Sequence, residues 1–169
     1  MNDLVIRRWT GASGLATVAW WLAQFPLYMA GPPPSVYDGA AYGEHLRAIQ
    51  TIAFTRILLD QGVYICMAVF AAGLRHLVRQ ARADHEWLGA LLFGAALVWL
   101  AVTLVADGLA GGAVLDAISA DPDPSVTRAL ILGTMLIYNG STAFVMTALF
   151  LGVAGVATLG TRVLPAWTG

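Results

Sequence analysis

Four apolar stretches, residues 12–31, 51–74, 87–112 and 127–159, take up most of the chain. Each is long enough to cross a hydrocarbon core of about 30 Å, which needs about 20 helical residues. None shows the strict alternation of a membrane β-strand, and each is about twice the length of one. The expected fold class is therefore all-α: an integral membrane bundle of four transmembrane helices forming a single domain over 1–169.

Composition supports this. Of 169 residues, 59% are hydrophobic and 11% charged, against about 25% charged in an ordinary soluble domain, and the mean hydropathy is +0.72. Too little polar surface is available to cover such a chain in water. A net charge of −1 excludes a disordered tail, which needs high charge and low hydrophobicity, and a polybasic nucleic-acid binder. The expected partner is the lipid bilayer, with a homo-oligomer or a second membrane protein left open. The single cysteine, Cys66, excludes a disulfide framework and a cysteine zinc site. All basic residues are Arg, and with abundant Ala and Gly this suggests a GC-rich, bacterial coding sequence.

The segments between the stretches carry helix-stopping chemistry. Residues 32–50 form an outer loop opened by Pro32, Pro33 and Pro34, which disfavour helical geometry before them; residues 42–50 can extend the second span. Residues 75–86 form an Arg-rich cytoplasmic loop. Residues 116–126 form an acidic turn in which Asp123 or Ser125 can cap the fourth span.

Arginine placement sets the orientation. With the N-terminus inside, Arg7, Arg8, Arg75, Arg79, Arg82 and Arg162 are cytoplasmic, Arg47 and Arg128 are outside, and Arg56 lies within a span. This excess favours cytoplasmic termini and a bacterial inner-membrane location. Trp9, Trp87 and Trp167 fall at the same cytoplasmic ends, where indole rings sit in the headgroup layer. Arg7 and Arg8 before an apolar stretch also resemble a secretory signal, but the stretch is too long, carries Trp20, Trp21 and Gln24, and offers no small-x-small cleavage site. Trp9-Thr10-Gly11 before the first span recurs as Trp167-Thr168-Gly169 after Pro165. This fits either a chain that continues into further helices or an interfacial anchor at its end.

Charged residues within spans cost about 2.5–3.5 kcal/mol each on insertion scales. Arg56 and Asp60 lie one turn apart in the second span, and Asp107 lies in the third. Counting inward at about 1.5 Å per residue places Arg56 and Asp107 about 7–8 Å and Asp60 about 13 Å from the outer ends. Arg56 can thus bond Asp60 along its helix and reach Asp107 across the bundle. Gln24, Asn139 with Tyr138 beside it, and Tyr64 one turn below Asp60 add hydrogen-bonding groups. Gln24, Arg56, Asp60, Tyr64, Asp107 and Asn139 are therefore candidates to line a polar pocket open to the outer face. The competing reading makes them interhelical glue, worth about 0.6–2 kcal/mol each.

Gly108-x-x-x-Gly112 and Ala148-x-x-x-Gly152 read as internal packing. His76, His85 and Glu86 lack metal-ligand spacing, His45 is a loop histidine, and no nucleotide, esterase or zinc-protease motif occurs. No metal, cofactor or catalytic residue is expected.

Arg8-Trp9-Thr10-Gly11, Phe54-Thr55-Arg56 with Asp60 and Leu74-Arg75, and Leu164-Pro165-Ala166-Trp167-Thr168-Gly169 together resemble a family of uncharacterised bacterial, actinobacterial, multi-pass membrane proteins. The resemblance implies further helices after a Leu-Pro-x-Trp-x-Gly segment and transfers no activity. Two functions remain open: small-molecule binding or transport through the polar pocket, and a non-catalytic membrane scaffold or accessory subunit. A membrane enzyme using Asp60 and Asp107 as acid and base has no companion motif and ranks below both.

Overall fold

Every regular element in the computed structural model, which describes residues 3–28 and 32–162, is helical. The helices are α1 (Asp3–Tyr28), α2 (Gly39–Ala48), α3 (Gln50–Ala81), α4 (Glu86–Ala117), α5 (Pro124–Asn139) and α6 (Ser141–Thr161), with one 3-10 turn at Ala83–His85. Three runs, Gln50–Ala81, Ala83–Ala117 and Pro124–Thr161, are long and apolar enough to cross a membrane. Most of their apolar side chains point outward, as Leu58 and Phe144 do at 71% exposure each. An apolar surface this extensive has no stable place in water. The 26 residues of α1 supply about 39 Å of length, but Trp20, Trp21, Gln24 and Pro26 dilute its hydropathy, and it is not among the three.

The chain divides into two compact units. One comprises 3–19, 63–101 and 144–162 of the described residues, the other 20–28, 32–62 and 102–143. In the first, Ala71, Leu74 and Val78 of α3 pack with Leu88, Leu92, Ala95 and Ala96 of α4 and with Phe150 and Ala157 of α6. Gly73 lets α1 approach α3, because a Cβ there would lie 2.0 Å from Thr10 Oγ1. In the second, Tyr42 and Leu46 of α2 pack with Ala53 of α3, Ala113, Val114 and Ala117 of α4, and Ile131 of α5.

Several boundaries differ from the sequence expectation. The second span does not stop at residue 74: α3 runs on to Ala81 because Leu77 and Val78 continue its buried face, which shortens the connection to α4 to little more than the 3-10 turn. The helix expected within 42–50 forms, but as the separate α2, interrupted at Ile49 (φ −106°, ψ 15°) and capped by Asp38, which accepts from the Ala41 amide at 3.0 Å. The fourth stretch is two helices, broken at Gly140 (φ −87°, ψ 179°). The far end of the first stretch, residues 29–31, and the terminal Trp167-Thr168-Gly169 repeat with Pro165 lie outside the described residues.

The acidic turn is pinned by its own side chains. Asp123 is the cap of α5, accepting from the Ser125 amide at 2.8 Å and the Ser125 hydroxyl at 2.7 Å, while the Thr127 hydroxyl donates to Asp116 at 2.6 Å. The two Ser125 donors hold the Asp123 carboxyl below its usual range. A carboxyl lowered in the folded state stabilises fully above its unfolded value, about 3.9, and that stability disappears as pH falls through the folded value. The thermal stability gap between wild type and Asp123→Ala is therefore expected to shrink on acidification from neutrality. Asp123→Asn keeps the cap without the titration, so its gap from Asp123→Ala should persist; an acid-independent wild-type gap would contradict this assignment.

Candidate functional site

The second unit contains Gln24 on α1, Arg56 and Asp60 on α3, Asp107 on α4, and Tyr138 and Asn139 on α5. Local packing draws α1 onto α3 here. Gly62 has no side chain, so the Trp20 indole lies over it, and a Cβ at Gly62 would meet Trp20 Nε1 at 2.3 Å. Gln24 follows Trp20 by one helical turn and therefore shares its face, which brings its amide to α3 at the level of Asp60.

Gln24 is 0% exposed. It lies close enough to Asp60 to interact with it, yet neither amide atom closes a hydrogen bond of ordinary geometry. The half-buried Asp60 carboxyl also feels the charges of Asp107 and Arg56. Asp107 is 5% exposed and accepts a hydrogen bond from the Tyr138 hydroxyl.

Arg56 behaves differently from the sequence expectation. It forms no ion pair with Asp60 or Asp107 within 4.0 Å; its guanidinium stacks on the Tyr28 ring, 3.8 Å from the centroid, and its Nε is enclosed without a hydrogen-bond partner. A guanidinium on an aromatic face gains about 0.5–2 kcal/mol, depending on its desolvation, which competes with pairing to Asp60 on the same helix. Tyr28 is thus a residue that spacing rules passed over, because a stack between helices leaves no sequence interval to read. An aromatic at the end of an apolar run, near the depth of an intramembrane arginine, is the signal that was available.

Two other candidates are placed differently. Asn139 is exposed, and its Nδ2 meets the Met135 sulfur one turn back at 3.1 Å. Tyr64 belongs to the first unit, where it is 8% exposed and stands edge-on to Trp99 at 6.3 Å. The small-residue pairs are split as well: Gly112 lies against Leu130 of α5, as internal packing requires, whereas Gly108 and Gly152 face open space, so backbone approach does not explain them.

Two carboxylates, one guanidinium and one amide thus share a unit. With all three charged groups ionised, the set carries one excess negative charge. It can take up a proton or the cationic group of a ligand, and Arg56, held by stacking alone, retains donors for an anionic group. Among the described residues, no three His, Cys, Asp or Glu side chains come together as a metal-holding group. Compared with protein-family models, with curated proteins and with solved structures, the chain matches none.

Proposed function

We propose that this chain is a multi-pass protein of the bacterial inner membrane, with α1 as a fourth crossing and both termini cytoplasmic. In this reading it binds or transports a small polar molecule at Gln24, Arg56, Asp60 and Asp107 in the outer half of the bundle. The observation that carries it is the enclosed amide of Gln24. A buried polar group whose hydrogen bonds are not closed costs about 1–3 kcal/mol, and beside the Asp60 carboxylate, with which it interacts, it is placed to serve a ligand. The arginine asymmetry supports the orientation, and the resemblance to bacterial multi-pass proteins supports the location.

The reading is tested by thermal unfolding of the purified protein in detergent against amino acids, polyamines and small carboxylic acids. A ligand bound only by the folded state stabilises by about 2.7 kcal/mol at a hundred times its Kd. At least one class is expected to give a saturable rise in Tm that disappears in Asp60→Asn and Asp107→Asn while both variants stay folded. If no class shifts the wild type and both variants merely unfold earlier, the second reading holds: a scaffold or accessory subunit that assembles with itself or a membrane partner. The Tyr138–Asp107 hydrogen bond and the Arg56–Tyr28 stack favour that alternative, since each satisfies a charge within the protein.

A further inference from the structure

The cytoplasmic end of α3 carries a feature unconnected with the polar cluster. Ala71, Leu74 and Val78 form the buried face of this part of the helix. Ala72, Arg75 and Arg79 lie one residue on around the cylinder and, with His76 next to Arg75, line an open cleft of about 190 Å³. Gly89 lets α4 approach closely at this level, since a Cβ there would lie 3.2 Å from the Arg75 carbonyl oxygen.

The basic groups are arranged but not neutralised. Neither Arg75 nor Arg79 enters an ion pair among the described residues, whereas Arg82 is engaged by Asp84 through two hydrogen bonds of 3.1 Å. Arg75 is positioned over the Phe93 ring, 5.5 Å from its centroid. His76 Nε2 is enclosed and has no hydrogen-bond partner. Helix-dipole compensation explains a cation in the last turn, and so accounts for Arg79; it does not explain the guanidinium and imidazole a turn earlier.

Depth identifies the occupant. The 32 residues of α3 measure about 48 Å, well beyond the ~30 Å of hydrocarbon, so the end of the helix emerges into the headgroup layer. Exposed Val69 before the cleft and Trp87 and Leu91 on α4 present lipid-facing apolar surface. A group bound at Arg75, His76 and Arg79 therefore meets acyl chains on one side and water on the other. We propose that this cleft binds the phosphate headgroup of an anionic phospholipid. Arg75 and Arg79 donate charge-assisted hydrogen bonds to the phosphate oxygens, and His76 lines the cleft beside them.

The test uses the full chain purified in neutral detergent, with phosphatidylglycerol, phosphatidylcholine or inorganic phosphate added back and retained lipid counted by native mass spectrometry. Saturable retention of phosphatidylglycerol over phosphatidylcholine is expected, weakening as salt is raised. Arg75→Ala and Arg79→Ala should each bind about fivefold more weakly, the loss expected for one basic side chain near an anionic surface. The double variant should lose the preference, Arg75→Lys should keep part of it, and Arg128→Ala, on α5, should match wild type. Both arginines are exposed, so their removal leaves the core intact, and circular dichroism checks this. Equal retention of both lipids, or an undiminished preference in the double variant, overturns the proposal. Displacement of phosphatidylglycerol by inorganic phosphate at equal concentration also overturns it, in favour of a soluble phosphate ligand.

Discussion

Substituting Gln24 with leucine is expected to stabilise the protein by up to about 1–3 kcal/mol, the cost of an enclosed polar group whose hydrogen bonds are not closed, while abolishing any ligand-dependent rise in Tm. Both side chains have similar bulk, and Gln24 is 0% exposed with neither amide atom closing a hydrogen bond of ordinary geometry to the nearby Asp60, so the change removes desolvated polarity without opening a cavity. Sites built for function commonly forgo stability in this way. The measurement is a denaturation midpoint for wild type and variant, each with and without the ligand class found in the thermal screen. A loss of stability in Gln24→Leu would show that the amide is satisfied within the protein, removing the observation on which the binding site rests. A gain in stability with an unchanged ligand response would separate Gln24 from the site and leave Asp60 and Asp107 to carry it.

The fold was legible wherever a single physical cause dominated. Three long apolar runs announced helices because backbone groups in lipid must be satisfied internally, and the acidic turn announced a cap at Asp123 or Ser125, of which the fold uses Asp123. Asp60 and Asp107 stood out because ionised groups within spans are expensive. What remained hidden depended on which surfaces meet. The stack of Arg56 on Tyr28 was chosen over pairing with Asp60 by the approach of α1, which Trp20 and Gly62 control. The break at Gly140 was hidden because one glycine in an apolar run is usually tolerated within a helix; here the backbone turns extended, and a Cβ at that position would run into the Leu136 carbonyl oxygen.

Gly39→Ala sets two effects of known size against each other. Gly39 is the first residue of α2, and replacing a helical glycine with alanine gains up to about 0.8–1 kcal/mol from propensity. A Cβ on Gly39, however, would stand 2.0 Å from the Pro124 carbonyl oxygen and 2.9 Å from its carbon. Those are backbone atoms at the start of α5, which no rotamer change can move aside. Overpacking of this kind costs about 1–3 kcal/mol or more, so the variant is expected to be the less stable protein, with α2 displaced from α5. Gly43→Ala on the same helix is the control, because its nearest neighbour would be Thr127 Oγ1 at an ordinary 3.9 Å; it should gain from propensity alone. Paired melting curves decide the matter, and equal stabilisation by both substitutions would refute the close approach at Gly39.

The interruption at Gly140 also has a mechanical meaning. An unbroken helix transmits torque, because every turn is tied to the next by its main-chain hydrogen bonds. At an extended residue that ladder stops, so the last turn of α5 ends at Gly140 without helical hydrogen bonds carried through the joint. Tyr138 stands two residues before the joint and holds Asp107. The hydrogen bond to that carboxylate is therefore made from the last turn of α5, where the helical ladder is still closed and holds the tyrosine in register with α4.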